Sequence, residues 1–146
     1  MAQDGSYGSR EVNNMNLYKG FDEKTFRDIA KKSQNQQAVD DVKYARLVLF
    51  SSGPDKFIAL RKDNDAIAYG YVTQNGFRII GIAVDAELMG QGVGRFMYNK
   101  IVDEARLVGC TRIFTKTLSG LRFYTRKCGM QVIGKDKGDY ILEAKI

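Results

Sequence analysis

The chain has 146 residues, with 23 lysines and arginines against 17 acidic residues and a net charge of +6. That length suits one domain with a real core. It holds no histidine, which excludes His-based triads and most zinc sites, and it lacks the run of about 18 apolar residues that a membrane-crossing helix needs.

Met1 to Asn14 is polar, Gly/Ser-containing and without the apolar centre of a secretory signal. It reads as a flexible arm or an expression remnant, with Met15 able to serve as a start, and residues 15–146 as one domain. Asn16 to Lys19 makes a short first strand. Asp22 then caps a helix that has Glu23 in its first turn. Phe21 and Phe26 take the positions of a hydrophobic staple, and Phe26, Ile29 and Ala30 share one face. A second helix is expected from about Gln36 to Arg46 on Val39, Val42 and Ala45, with Leu47 to Phe50 open between helix end and strand. Ser51 to Asp55 is a loop holding the sole proline.

A meander follows. Lys56 to Lys62 is a strand and Asp63-Asn64-Asp65 a turn. Ala66 to Thr73 is apolar on both faces, hence central. Asn75-Gly76 signals a hairpin, returning as Phe77 to Val84. The next helix carries Val93, Met97, Ile101, Ala105 and Val108 on one stripe and ends at Gly109. Arg112 to Thr115 would lie parallel to the previous strand after a right-handed crossover. Leu121, Tyr124 or Thr125, and Cys128 indicate a short helix. Met130 to Ile133 and Tyr140 to Ala144 close the chain as a hairpin around Gly134 to Gly138.

The stretch from Gly81 to Arg95 organises the rest. An apolar strand runs into a turn and then into a helix start where Gly90, Gly92 and Gly94 alternate with larger residues. Glycine permits positive φ and close backbone approach, and unpaired N–H groups at a helix start suit an anion. A dinucleotide fingerprint would need glycine where Arg95 stands, and a P-loop would need Lys-Ser/Thr where Arg95-Phe96 stands. The loop resembles instead the pyrophosphate loop of the GNAT superfamily of N-acetyltransferases, with Gly92 and Gly94 in its glycine places and Met89 where a polar residue is usual. Leu121 to Met130 resembles the family's Phe-Tyr-x-x-x-Gly-Phe segment with one extra residue before Gly129. The order of elements matches as well.

That resemblance implies a GNAT fold in the α/β (α+β) class: a mixed, mostly antiparallel sheet, splayed in the middle, with helices on both faces. It implies acetyl-CoA as co-substrate and an amine acceptor. The pyrophosphate would rest on the N–H groups of Gln91, Gly92, Val93, Gly94 and Arg95 in the loop Met89-Gly90-Gln91-Gly92. Arg95, and Lys100 with it, would add charge. The pantetheine arm would pair with backbone of Ile82 and Val84, and an N–H near Ala83 or Val84 would face the developing oxyanion. Gly81 fits a bulge or close approach, or a packed small residue. Tyr124 is the candidate donor to the leaving thiolate, though Thr125 stands at the family spacing from Gly129. Thr117 or Ser119 replaces a family Asn, or caps the next turn. No β-strand Glu offers a base, so Tyr69, Tyr71 and Asp85 are the candidates, with Asp85 also suited to capping its turn. Cys110 and Cys128 read as reduced and unreactive, which implies a cytoplasmic compartment. No metal is expected, nor a membrane or nucleic-acid partner, and the chain would be a monomer or homodimer. The alternative reading is a GNAT-like module that has lost catalysis.

Overall fold

The computed structural model describes residues 17–146, so the arm over 1–14, Met15 and Asn16 lie outside the described residues. The elements run β1 (Leu17–Lys19), α1 (Glu23–Lys32), α2 (Gln36–Ser52), β2 (Phe57–Lys62), β3 (Ala66–Thr73), β4 (Gly76–Val84), α3 (Val93–Leu107), β5 (Arg112–Thr117), β6 (Gln131–Asp136) and β7 (Asp139–Lys145). The strands form one sheet in the order β1-β2-β3-β4-β5-β7-β6. Every adjacent pair is antiparallel except β4 and β5. This is the expected mixed sheet with helices on both faces.

Alternation along the strands separates two cores. Ala68, Phe77, Ile79 and Ile113 face α3 and bury Met97, Ile101 and Ala105. Ala59, Ile67, Tyr69, Ile80 and Ala83 face α1 and α2, where Phe26, Ile29, Val42 and Ala45 are buried. Each fully buried Ile or Phe contributes roughly 1.5–3 kcal/mol. Asp22 accepts the N–H groups of Lys24 and Thr25 at the start of α1, and the Phe21 and Phe26 rings meet edge-on at 4.9 Å.

Several boundaries differ from expectation. Leu47 to Ser52 continues α2, because Val48 carries the buried stripe of Val42 and Ala45 past Arg46. Gly53, at φ 90°, ends it, and Pro54–Lys56 is a 3₁₀ turn. Val108 lies beyond α3 and is exposed. β5 continues to Thr117, and the last hairpin turns at Lys137-Gly138 instead of spanning Gly134 to Gly138. Gly134 is absorbed into β6 beside a register shift.

Candidate functional site

β4 and β5 pair only through Phe77↔Ile113, Arg78↔Phe114 and Ile79↔Thr115. The Thr115 hydroxyl donates to the Ile79 carbonyl at 2.9 Å, closing the last rung. Beyond it β4 continues to Val84 with β3 on one side and, among the described residues, no strand on the other. The register between β3 and β4 passes from Gly70↔Ile79 to Tyr69↔Gly81, so Ile80 is the extra residue of a β-bulge. A bulge bends its strand and increases local twist, which parts β4 from β5 at this point. A cleft of about 720 Å³ opens there. Ile82 and Val84 line it, with Ala83 between them on the open edge of β4.

The glycine loop forms one end of the cleft. Asp85 caps the turn after β4 by accepting the Glu87 N–H at 3.0 Å. Gly90 and Gly92 take φ of 83° and 82°, the left-handed region that costs other L-residues roughly 1–2 kcal/mol. The Met89 and Gln91 N–H groups donate to Ala86 and Leu88 carbonyls. From Gly92 the chain enters α3 with no side-chain cap, and the first turn closes by Phe96 N–H to Gly92 C=O at 3.0 Å. The N–H groups of Gly92, Val93, Gly94 and Arg95 therefore have no acceptor among the described residues. The free row begins one residue later than the sequence suggested, since Gln91 is occupied. Gly94 is needed for space: a Cβ there would stand 2.9 Å from the Phe123 ring. Arg95, Arg122, Arg126 and Lys127 line the same end. Lys100 turns away onto the Phe96 ring at 5.4 Å.

Tyr124 sits in the inner wall. Its turn, Phe123–Lys127, is π-helical, a geometry that admits one more residue per turn. The extra residue before Gly129 is absorbed there, and the Met130 N–H closes the turn on the Tyr124 carbonyl at 3.0 Å. Tyr124 is buried and lines the cleft. Thr125 points back and donates its hydroxyl to the Leu121 carbonyl at 2.8 Å. Burial raises the Tyr124 phenol well above its usual range, with Cys128 and Asp41 adding to it and Thr115 opposing. Tyr124 thus holds its proton. Thr117 and Ser119 also line the cleft with engaged hydroxyls. Thr117 accepts the Gly120 N–H at 2.8 Å. Ser119 donates to Gln37 Oε1 at 2.7 Å and accepts Asn35 Nδ2 at 3.1 Å, tying this loop to the start of α2.

Gly81 is a close-approach residue beside the bulge. A Cβ on it would meet the Tyr69 hydroxyl at 2.9 Å and Asp41 Oδ2 at 3.3 Å. Asp41, on α2, is the one carboxylate among the residues lining the cleft. Burial raises its carboxyl to about 7, with Asp40 and Asp139 adding to the rise and Arg78 opposing it. Arg78 Nε is buried without a partner among the described residues, and its Nη1 reaches the Tyr44 hydroxyl at 3.5 Å. Burial also raises the phenols of Tyr69 and Tyr71. Both therefore stay protonated, and Asp85 is spent on its cap. Burial pushes the Cys128 thiol up to about 12 and raises Cys110 as well.

The structure thus brings Ile82, Val84, Met89, Gly90, Gly92, Val93, Gly94, Arg95, Thr117, Ser119 and Tyr124 around one cleft. Sequence reasoning missed Asp41. Its signal was there: it is an acid three residues after Ala38 and four before Ala45, on the edge of the buried stripe of α2.

A family model described as the Acetyltransferase (GNAT) family matches residues 17–130. Solved structures share the fold at low identity. The PaiA N-acetyltransferase from Thermoplasma acidophilum, in complex with coenzyme A, superposes with a TM-score of 0.70 at 14% identity, over 90% of this chain and 100% of its own. An aminoglycoside 6′-N-acetyltransferase complexed with coenzyme A gives 0.66 at 12% identity, over 88% and 96%. A Bacillus subtilis acetyltransferase in complex with CoA gives 0.63 at 13%, over 90% and 99%. No curated protein matches by sequence.

Proposed function

The chain belongs to the GNAT acetyltransferase family, and we propose from that premise that it is an acetyl-CoA-dependent N-acetyltransferase acting by direct transfer to an amine. One observation carries the reading: four consecutive N–H groups, Gly92 to Arg95, unpartnered among the described residues, stand beside a strand edge that has lost its neighbour. Such a row fits a diphosphate, and an open edge fits an extended amide-bearing arm that pairs as a strand would.

In this reading acetyl-CoA supplies an activated acetyl group as a thioester. The Gly92–Arg95 amides hold its diphosphate, with Arg95, Arg122, Arg126 and Lys127 as diffuse counter-charge. The free edge from Ile82 to Val84 aligns the pantetheine and aims an N–H of Ala83 or Val84 at the thioester carbonyl, where negative charge develops. The protonated Tyr124 hydroxyl faces the sulfur and donates to it as the carbon–sulfur bond breaks. The acceptor must approach from the α2 side, because the loop and the π turn close the other.

Calorimetry with acetyl-CoA and desulfo-CoA, followed by thiol release with a panel of primary amines, tests this. Binding of both ligands, with thiol release for at least one amine, is expected. Binding without any turnover would make the protein a catalytically inactive module, and absence of binding would end the reading altogether.

A further inference from the structure

We propose that Asp41 is the catalytic residue that takes the proton from the acceptor amine, an assignment that rests on the transferase reading above. An ammonium carries no lone pair, so some group must remove a proton before attack on the thioester. The chain has no histidine. Among the residues lining the cleft the sole carboxylate is Asp41. The cleft's phenol, Tyr124, is held protonated, and the nearby thiol Cys128 likewise.

Position makes the assignment specific. Asp41 Oδ2 lies 3.3 Å from where a Cβ on Gly81 would be. Gly81 directly precedes Ile82, where the open edge of β4 lines the cleft. The carboxylate therefore stands beside the thioester end of an extended arm on that edge. Arg78 is the one cation acting on its carboxyl, and none of the loop-end cations does. A side chain at 81 would fill the gap between Asp41 and the Tyr69 hydroxyl, so glycine keeps the carboxylate exposed to the cleft.

The surroundings poise the group. Asp40 faces it from its own helix, Asp139 from β7, Tyr69 from β3, Tyr124 from the π turn and Arg78 from β4. Lys116 of β5, which also lines the cleft, is paired with Asp136 at 2.7 Å. Burial leaves the carboxyl near 7, a value suited to a base working at neutral pH. The acceptor enters as an ammonium and gives one proton to Asp41. Its freed lone pair forms the carbon–nitrogen bond as the carbon–sulfur bond breaks. The second nitrogen proton leaves with the thiol, through the Tyr124 hydroxyl, and Asp41 releases its own to solvent. The balance is one proton set free per acetyl transferred.

The test is a pH profile of kcat/KM for the parent, Asp41→Asn and Asp41→Glu, with acetyl-CoA affinity measured alongside. In the parent, activity falls on the acid side with a midpoint near 7. In Asp41→Asn, kcat drops about 100-fold or more, the acid limb disappears and acetyl-CoA binds as before. Asp41→Glu recovers part of the rate with the limb displaced. Retention of the limb and of more than a tenth of kcat in Asp41→Asn overturns the proposal while leaving the transferase reading intact. So does a loss confined to KM, which would make Asp41 a binding carboxylate. A parent that binds acetyl-CoA but turns over no amine overturns both. Carbon-13 titration of the Asp41 carboxyl in the unliganded parent adds a readout free of turnover: a midpoint near 7 supports the role and one near 4 contradicts it.

Discussion

At the α3 end of the cleft the groups proposed to recognise the ligand are main-chain N–H groups, Gly92 to Arg95, in consecutive residues. At the α2 end they are side chains, Asp41, Tyr69 and Tyr124, which meet from a helix, a strand and a π turn. On the proposed reading the first end is local and tolerant of side-chain identity, because the backbone supplies the donors. The exposed Met89 illustrates this: it stands where the family has a polar residue, and the amides beside it are unaffected. The second end depends on tertiary folding and on each side chain being what it is. Substitutions should therefore act in opposite ways at the two ends.

The largest effect is expected from Gly92→Asp, which sets a negative charge into the amide row. A Cβ at that position would meet nothing within 4 Å, and the left-handed φ of 82° costs a non-glycine residue only roughly 1–2 kcal/mol, so the fold should survive. Acetyl-CoA affinity should fall at least 100-fold, about 2.7 kcal/mol, as read by calorimetry. Unchanged affinity would break the contrast at its donor end.

Next comes a stability measurement at the acceptor end. The folded Asp41 keeps its proton up to about 7, against the ordinary 3.8. Between those values the folded state binds the extra proton, so stability declines as pH rises from about 4 to about 7, and the deficit is full above 7. Asp41→Asn removes that penalty. After discounting for water reaching the carboxylate through the cleft, the variant should exceed the parent in unfolding free energy by about 2 kcal/mol at pH 8, and differ little at pH 4. Denaturant melts at the two pH values check this. A variant less stable at pH 8 would make Asp41 a structural carboxylate.

Tyr124→Phe keeps the buried ring and removes the hydroxyl. It should lower kcat about tenfold with acetyl-CoA affinity unchanged. Because burial keeps the phenol protonated, the parent should show no alkaline loss of rate from this group below pH 10. The smallest effect is expected from Arg95→Ala. The cation is exposed and the amide beneath it remains, so affinity should fall only a few-fold, about 0.5–1 kcal/mol, and less at high salt. A loss as large as that of Gly92→Asp would mean that side chains, and not backbone, carry the donor end.

The same contrast decides what the sequence disclosed. Gly90, Gly92 and Gly94 at a strand-to-helix junction announce a local device, and Asn75-Gly76 announces the hairpin that delivers β4 to it. Both depend on backbone chemistry within a few residues. The bulge at Ile80 left no such mark, since it arises from the pairing of β3 with β4. Asp41 was overlooked because its neighbours, Gly81 and Tyr69, lie far along the chain, and a helix with an acidic pair reads locally as a solvated face. The extra residue before Gly129 left Tyr124 and Thr125 undecided under a 100° rotation per residue. The π turn settles which faces inward, because it relieves the helical spacing that had set the two against each other.

On the proposed reading the free amides of the loop, and not its side chains, grip the diphosphate. Amide nitrogen–proton NMR spectra recorded while coenzyme A is titrated into the isotopically labelled protein test it most directly. The account predicts the largest shifts at Gly92, Val93, Gly94 and Arg95, with smaller ones along Ile82 to Val84 and little change at Gln91, whose N–H is already bonded to Leu88. Saturable binding that leaves the four loop amides unmoved would contradict it.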